Sequence, residues 1–329
     1  MVIKKILFGV QLWLGFSFVV MGQTVEILDT PTGIEFWVNS NPVLTYRTAK
    51  AEVPKGQKEA FALSGFIHPL QTLSGQVLTR IQPTDHYHHY GIWAPWTRAT
   101  LEGRTIDFWN LGDEKGRVEF AGILKRKENQ QRALVTVRQN HLDLTALGQN
   151  TLVLEEDLSI ALEPLDSNRY LLDYQRNFWT KIPSGVTLDQ YRYGGGIFIR
   201  AVEIWGSKNS QILTSEFKTR DQADGTRAKW MMVSGVSGHE SGKSGILLLS
   251  HPNNHSHPEP LRVWPSDSNQ GEGNVFVGFT PTREAEWKLG FGQRYSLNYR
   301  LIVFDGELSV EEAETFWLDF VKTTGIIDR

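Results

Sequence analysis

Apolar and polar residues alternate with period two through most of the chain. The runs at 25–29, 33–39, 42–49 and 61–70 begin the pattern. It resumes at 117–127, 133–144, 151–162 and 169–180, then at 195–205, 228–236, 244–252, 274–280 and 294–305. These runs are rich in β-branched and aromatic residues, and Gly, Pro, Asn and Asp separate them, which predicts strands. Only residues 309–324 show a helical stripe, made by Val310, Ala313, Phe316, Trp317, Phe320 and Val321. Ser309 and Glu312 have capping-box spacing at its start. Many strands with one terminal helix predict an all-β fold, a large antiparallel β-sandwich whose C-terminal helix lies on a sheet.

The first 22 residues break the pattern. Lys4 and Lys5 precede an apolar stretch from Ile6 to Met21, and Val20 and Gly22 are small residues before Gln23. This is the layout of a secretory signal peptide, so residues 1–22 are expected to be removed and 23–329 to form a single β-sandwich domain. The stretch is short for a membrane span, and no later segment reaches the roughly 20 apolar residues that a span needs. The expectation is a periplasmic or secreted protein with no integral membrane span in the mature chain.

The chain of 329 residues has no Cys. That excludes a disulfide scaffold, a thiol nucleophile and thiolate metal sites. An exported domain of this size builds a large enough core without disulfides. The formal charge of −3 becomes more negative once Lys4 and Lys5 are lost, so the basic footprint of a nucleic-acid binder is missing. No dinucleotide fingerprint, phosphate loop or G-x-S-x-G elbow occurs, and no nucleotide cofactor is expected.

Histidine is concentrated in two loops. Three of the nine lie in Asp85-His86-Tyr87-His88-His89-Tyr90-Gly91, and three more in His251-Pro252-Asn253-Asn254-His255-Ser256-His257-Pro258. His68 stands before the first group. Imidazole titrates near neutral pH, and such clustering beside Trp is hard to ascribe to packing alone. An extended segment would put His86 and His88 on one face and His89 on the other. Asp85 could accept an imidazole N–H and fix its tautomer. Asp85, His86, His88, His89, His251 and His257 are therefore the candidates for acid/base catalysis. A divalent metal held by His86, His88 and His251 is the other use of the same residues. The structural alternative is a pair of polar, turn-rich loops whose His satisfy backbone groups.

Aromatic faces stack on the C–H faces of sugars. Trp93, Trp96 and Trp109 lie closest in sequence to the first His group, and Trp230 is a further candidate for substrate contact. Tyr193 opens a Gly194-Gly195-Gly196 loop, where the backbone can approach a ligand or make a tight strand entry. Asp85, Asp107, Glu119, Asp189 and Glu240 are available carboxylates, but spacing does not pair them.

These phrases together resemble the PmoA-like domain family, a family of unknown function often labelled "methane oxygenase PmoA". The resemblance rests on Pro83, Asp85, His86, His88, His89 and Gly91, followed by Asp107-Phe108-Trp109. It continues with Tyr193, Gly194, Gly195 and Arg200, then His251-Pro252 and His257-Pro258, and ends at Tyr299, Arg300, Val303, Asp305 and Gly306. Tyr90 stands where that family has Arg, which implies a neutral ligand here if the Arg meets an anion. At fold level the resemblance points to the supersandwich of galactose mutarotase-like proteins, and exported members look like parts of carbohydrate-use systems.

The expected function is an exported enzyme cleaving a glycoside or modified sugar, by imidazole acid/base chemistry or with a metal. Its ligand would be a small carbohydrate or an oligosaccharide. His68, Trp93, Trp109, Tyr193 and Trp230 would bind that ligand. A mutarotase or epimerase, or a carbohydrate-binding protein without catalysis, are the alternatives.

Overall fold

The computed structural model describes residues 23–146 and 150–323; the expected leader lies outside them. The chain opens with β1 (Val25–Thr30), β2 (Gly33–Val38), β3 (Asn41–Arg47), β4 (Phe66–Leu70) and β5 (Ile92–Trp93). Short β6 (Ala99–Leu101) and β7 (Arg104–Ile106) lead to four long strands. These are β8 (Gly116–Asn129), β9 (Arg132–Asp143), β10 (Thr151–Asp166) and β11 (Arg169–Trp179). Next come β12 (Val186–Leu188), β13 (Ile197–Arg200), β14 (Ser210–Thr214), the single-turn helix α1 (Arg220–Ala223) and β15 (Arg227–Ala228). β16 (Trp230–Val236), β17 (Lys243–Ser250), β18 (Glu259–Val263), β19 (Phe276–Phe279), β20 (Trp287–Leu289), β21 (Tyr295–Asp305) and α2 (Val310–Val321) complete it. Among the described residues no helix is long and apolar enough to cross a membrane.

Two large antiparallel sheets make the sandwich. One runs β1-β2-β3-β4-β5-β13-β19-β18-β15, the other β14-β16-β17-β21-β11-β10-β9-β8. A small third sheet, β20-β12-β6-β7, flanks them. The all-β expectation therefore holds, with its C-terminal helix. The segment 195–205 stops being strand after Arg200, and several two- to five-residue strands, too short to show a period, were not foreseen.

Side-chain alternation divides the apolar residues into layers. Ile67, Ile92, Ile197, Ile199, Val263 and Val277 of the nine-stranded sheet meet Leu158, Ile160, Leu172, Leu248 and Leu301 of the other in the main core. Their neighbours Phe66, Trp93, Phe198, Trp264 and Phe276 face the opposite way and build a second cluster on the sheet's outer side. On the far side of the eight-stranded sheet, Leu247, Leu249, Ile302 and Phe304 receive α2 through Ala313 and Phe320. The capping box forms: Ser309 N–H donates to Glu312 Oε2 at 2.8 Å, and Glu312 N–H to Ser309 Oγ at 3.1 Å.

Charge is also buried between the sheets. Arg176 of β11 donates to both carboxylate oxygens of Glu156 on β10, at 2.7 and 2.8 Å. The strand register makes the two diagonal neighbours on one face. The third guanidinium nitrogen donates to the Gly196 carbonyl at 2.7 Å, at the entry to β13 in the opposite sheet. His141 Nε2 lies 3.0 Å from Glu156, and all three side chains are fully buried. Burial alone would raise the Glu156 carboxyl, but Arg176 and His141 hold it down to about 2. A carboxyl lowered from 4.5 to about 2 contributes its full stability above pH 4.5 and loses it as pH falls towards 2.

Removing one partner leaves the other charged and buried. Glu156→Leu should therefore cost about 3–5 kcal/mol at neutral pH in urea unfolding, and the double variant Glu156→Leu/Arg176→Met distinctly less. A double variant at least as unstable as the single would show that the charges themselves are not the constraint.

Candidate active site

The first histidine loop connects the strand edge near Arg80 to β5. It is not extended. Backbone bonds from His86 N–H to Pro83 O (2.9 Å) and from His89 N–H to His86 O (3.1 Å) fold it into successive turns, closed by Gln82 N–H to His89 O at 2.8 Å. The expected division of the rings between two faces is thereby corrected: turns in place of a pleat gather all three. The His86 ring centroid lies 5.4 Å from His88 and 4.7 Å from His89, and His88 lies 4.9 Å from His89.

The outer aromatic cluster is the floor beneath them. His89, 1% exposed, packs on Phe276 at 4.8 Å, Trp93 at 5.3 Å and Trp109 at 5.6 Å. Trp264 contacts His86 at 4.7 Å. Tyr193 is 5.3 Å from Trp109, and its hydroxyl accepts from Arg262 Nη2 at 3.0 Å and Trp264 Nε1 at 3.4 Å. His86, His88 and Tyr193 are only half-buried, whereas Trp93, Trp109 and Trp264 are buried. Solvent therefore meets imidazole and phenol edges above an indole floor.

Asp85 organises the charges. Its Oδ2 lies 2.9 Å from His86 Nδ1 and accepts from Arg200 Nη2 at 2.6 Å, with Arg80 at 3.9 Å from Oδ1. Burial pushes this carboxyl up, but His86 and Arg200 hold it well below the usual carboxylate range. An ionised carboxylate only accepts, so Nδ1 of His86 carries the proton and Nε2 of the neutral ring holds the lone pair. Arg200 is fully buried, its guanidinium 4.7 Å over Trp264. Burial first, then the charge of His86, pushes His88 down to about 4. Burial and the neighbouring His88 and Arg200 charges take His89 well below its ordinary value. His88 has no hydrogen-bond partner among the described residues, and its ring is open to water.

Other candidates lie elsewhere. His68 bonds Thr79 Oγ1 at 3.0 Å, apart from the three rings, and burial with the Arg47 charge pushes it down to about 4. Trp96 sits in the main core 4.9 Å from the Arg176 guanidinium. Trp230 is buried beneath α2 and donates to Glu314 Oε2 at 3.1 Å, so it cannot reach a ligand at the histidine loop. His251 packs on Phe320 of α2, and His257 lies parallel to Trp317 with Nδ1 3.2 Å from Ser250 Oγ. His257 stands two residues before β18 and Trp264 immediately follows it, which separates the two histidine groups by roughly 20 Å of extended chain. The set His86, His88 and His251 therefore does not assemble. Among the described residues no group of three or more His, Asp or Glu is arranged to hold a metal.

The carboxylates are engaged or remote. Asp107 accepts from the Trp109 and Asn110 backbones at 2.8 Å each, closing a turn. Glu119 pairs with Arg117 at 3.1 Å, Asp189 accepts from Thr100 at 2.9 Å, and Glu240 is exposed. Gly195 has φ +69°, and a side chain there would overlap the Trp96 indole, so that glycine serves packing. Tyr90 is buried and donates to Phe61 O at 2.6 Å; its identity therefore says nothing about ligand charge. Arg80, Arg262 and Phe276 had no sequence signal. Trp264 was visible only as one Trp among many.

A family model describing a family of unknown function, DUF6807, matches residues 33–318, and the chain belongs to that family. This corrects the PmoA-like resemblance, which rested on a few short phrases, whereas the match runs continuously over most of the chain. No curated protein matches the chain in sequence. Among solved structures it is similar to the heparan sulfate lyase HepC from Pedobacter heparinus, at 8% identity and TM-score 0.37, covering 88% of this chain and 36% of that one. It is also similar to a galactose mutarotase related enzyme from Lactobacillus acidophilus, at 8% identity and TM-score 0.42, covering 85% and 97%. A third is the GH36 alpha-galactosidase AgaB from Geobacillus stearothermophilus, at 11% identity and TM-score 0.38, covering 87% and 39%. The chain thus spans little more than a third of the lyase and the galactosidase.

Asp85→Asn should leave Arg200 buried without its counter-charge and cost about 3 kcal/mol or more in chemical unfolding at neutral pH. The loss should shrink as pH falls, because the wild-type carboxylate contributes above the unfolded carboxylate pKa and ceases to do so in acid. An unchanged midpoint at neutral pH would remove Asp85 from its organising role.

Proposed function

We propose that this DUF6807 protein is a carbohydrate-acting enzyme that works by imidazole proton transfer, with His86 as general base. The observation that carries the reading is the relay from Arg200 through Asp85 to His86, which turns Nδ1 to the carboxylate and leaves Nε2 open beside the neutral imidazole of His88. The reading rests on the site and not on the fold likenesses.

A base alone does not complete a proton transfer on a sugar. Tyr193 supplies the other half. Its oxygen already accepts from Arg262 and Trp264, so its own proton is free to be donated. His86 and the Tyr193 hydroxyl both contact Trp264, which sets base and donor one indole apart. His86 would take a proton from a sugar hydroxyl or an acidic C–H while Tyr193 protonates or hydrogen-bonds the departing or carbonyl oxygen. His88 stays neutral down to pH about 4 and accepts or donates a hydrogen bond to the neighbouring hydroxyl.

Among the described residues no free carboxylate pair faces this site, because Asp85 and Asp107 are both committed. Proton shuttling at the sugar, as in anomer exchange, epimerisation or elimination, therefore fits better than hydrolysis by two carboxylates. On the pattern of residues 1–22 we place the enzyme outside the cytoplasm, working on sugars that reach it there.

The test is a panel of sugars and oligosaccharides followed by NMR for anomer exchange, solvent deuterium uptake at carbon, and bond cleavage. With an active substrate found, His86→Ala and His88→Ala should each lower kcat/KM by about 100-fold or more while circular dichroism stays unchanged. Wild-type turnover in the His86→Ala variant would sink the assignment. Mass spectrometry of the exported protein should find Gln23 as its first residue; an intact leader would overturn the placement.

A further inference from the structure

Two arginines at the edge of this site, Arg98 and Arg192, have no role in the proton transfer just described. Tyr191 and Tyr193 stand 6.0 Å apart. The Arg98 guanidinium lies 4.4 Å over the Tyr191 ring, and that of Arg192 lies 5.2 Å over Tyr193. Arg262 is 4.9 Å from the same Tyr193 ring. Arg98 and Arg192 are both exposed, and neither has an ion-pair or side-chain hydrogen-bond partner among the described residues. Asp224 serves Arg262 at 2.8 Å and Arg283 at 3.1 Å, and Asp85 serves Arg200. Asp189, whose backbone N–H donates to the Arg98 carbonyl at 3.1 Å, forms no ion pair with either exposed arginine and accepts from Thr100.

A guanidinium lying on an aromatic face keeps its in-plane N–H donors pointing outward and loses little freedom when it binds an anion. Two such groups beside a phenol make a preorganised anion receptor in a chain whose formal charge is −3. We propose, building on the function above, that the substrate is an anionic carbohydrate. Its carboxylate or sulfate group docks on Arg98 and Arg192 while the neighbouring ring reaches His86, His88 and Tyr193. Planar, bidentate recognition by guanidinium suits both anions.

The test is calorimetric titration of the full protein with uronate oligosaccharides, their methyl esters and sulfated neutral oligosaccharides. An ester differs from its acid chiefly in charge. At least one acid form should bind about ten-fold tighter than its ester, and added salt should weaken the acid and not the ester. Arg98→Ala/Arg192→Ala should abolish that preference, weakening the acid far more than the ester. The same arginine dependence with a sulfated sugar alone would assign sulfate as the anion. Equal affinity for acid and ester with no arginine-dependent sulfate binding, or a preference that survives in the double variant, overturns the proposal. So does failure of every anionic form to bind. The function proposed above fails separately: His86-dependent turnover of a neutral sugar would keep it while this inference falls.

Discussion

The buried pair of Glu156 and Arg176 is the constraint on which the site's position depends. Arg176 spends two of its nitrogens on the carboxylate and one on the Gly196 carbonyl. A guanidinium is planar and rigid, so fixing two nitrogens on β10 fixes where the third points. That direction locates the start of β13 in the opposite sheet. Trp96, 4.9 Å from the same guanidinium, fills the space that Gly195 leaves by having no side chain. The loop that presents Tyr193 is thus fastened from below by a charge network in the buried core. Gln139 adds another clasp, donating to Tyr46 Oη at 2.9 Å and to Gly65 O at 2.8 Å.

Above that frame, the site keeps His88 and His89 neutral amid arginines. Histidines beside guanidinium groups lose protons for two reasons, burial and repulsion, and both act on His88 and His89. One carboxylate, Asp85, absorbs the charge of Arg200 and in doing so becomes a pure acceptor for His86. The same ion pair that makes Arg200 tolerable inside the protein therefore sets the tautomer of the exposed imidazole.

The sequence made the strands, the sandwich and the terminal helix legible, because each long strand carries period two and α2 carries both a stripe and a cap. It also marked the first histidine loop, Trp93, Trp109 and Tyr193. What it hid depends on distance and direction. Trp264, Arg262 and Phe276 join the site only because β18 and β19 pair beside β13. Trp230 and Trp264 look alike as residues, yet one faces α2 and the other the histidines, a difference made by which side of which sheet each occupies. The extended reading of the 85–90 segment failed because the chain turns at Pro83 and again at His86, and turn bonds, unlike a pleat, bring neighbouring rings together.

The second histidine loop shows that clustering of His has more than one physical origin. There the central group is Glu259, fully buried and raised by burial to about 7 despite hydrogen bonds from Ser250, Asn254 and Tyr299. Tyr299 donates to it across the sandwich at 2.8 Å, and Asn254 at 2.9 Å from within the loop. Asn254 also accepts from Asn298 N–H at 2.7 Å and donates to Asn298 O at 2.9 Å, pinning the loop to β21. His255 lies flat on Trp287 at 4.0 Å, His257 is parallel to Trp317, and His251 meets Phe320 edge-on. Each imidazole there is a flat, partly polar wedge between the loop and an aromatic neighbour. In the first loop the rings instead pack on one another, with His89 buried and the half-buried His86 and His88 turned towards water. Two loops of similar composition thus diverge because one closes over a buried carboxyl that ties it to the sheet, while the other sends its carboxylate to an arginine and keeps its imidazole edge free.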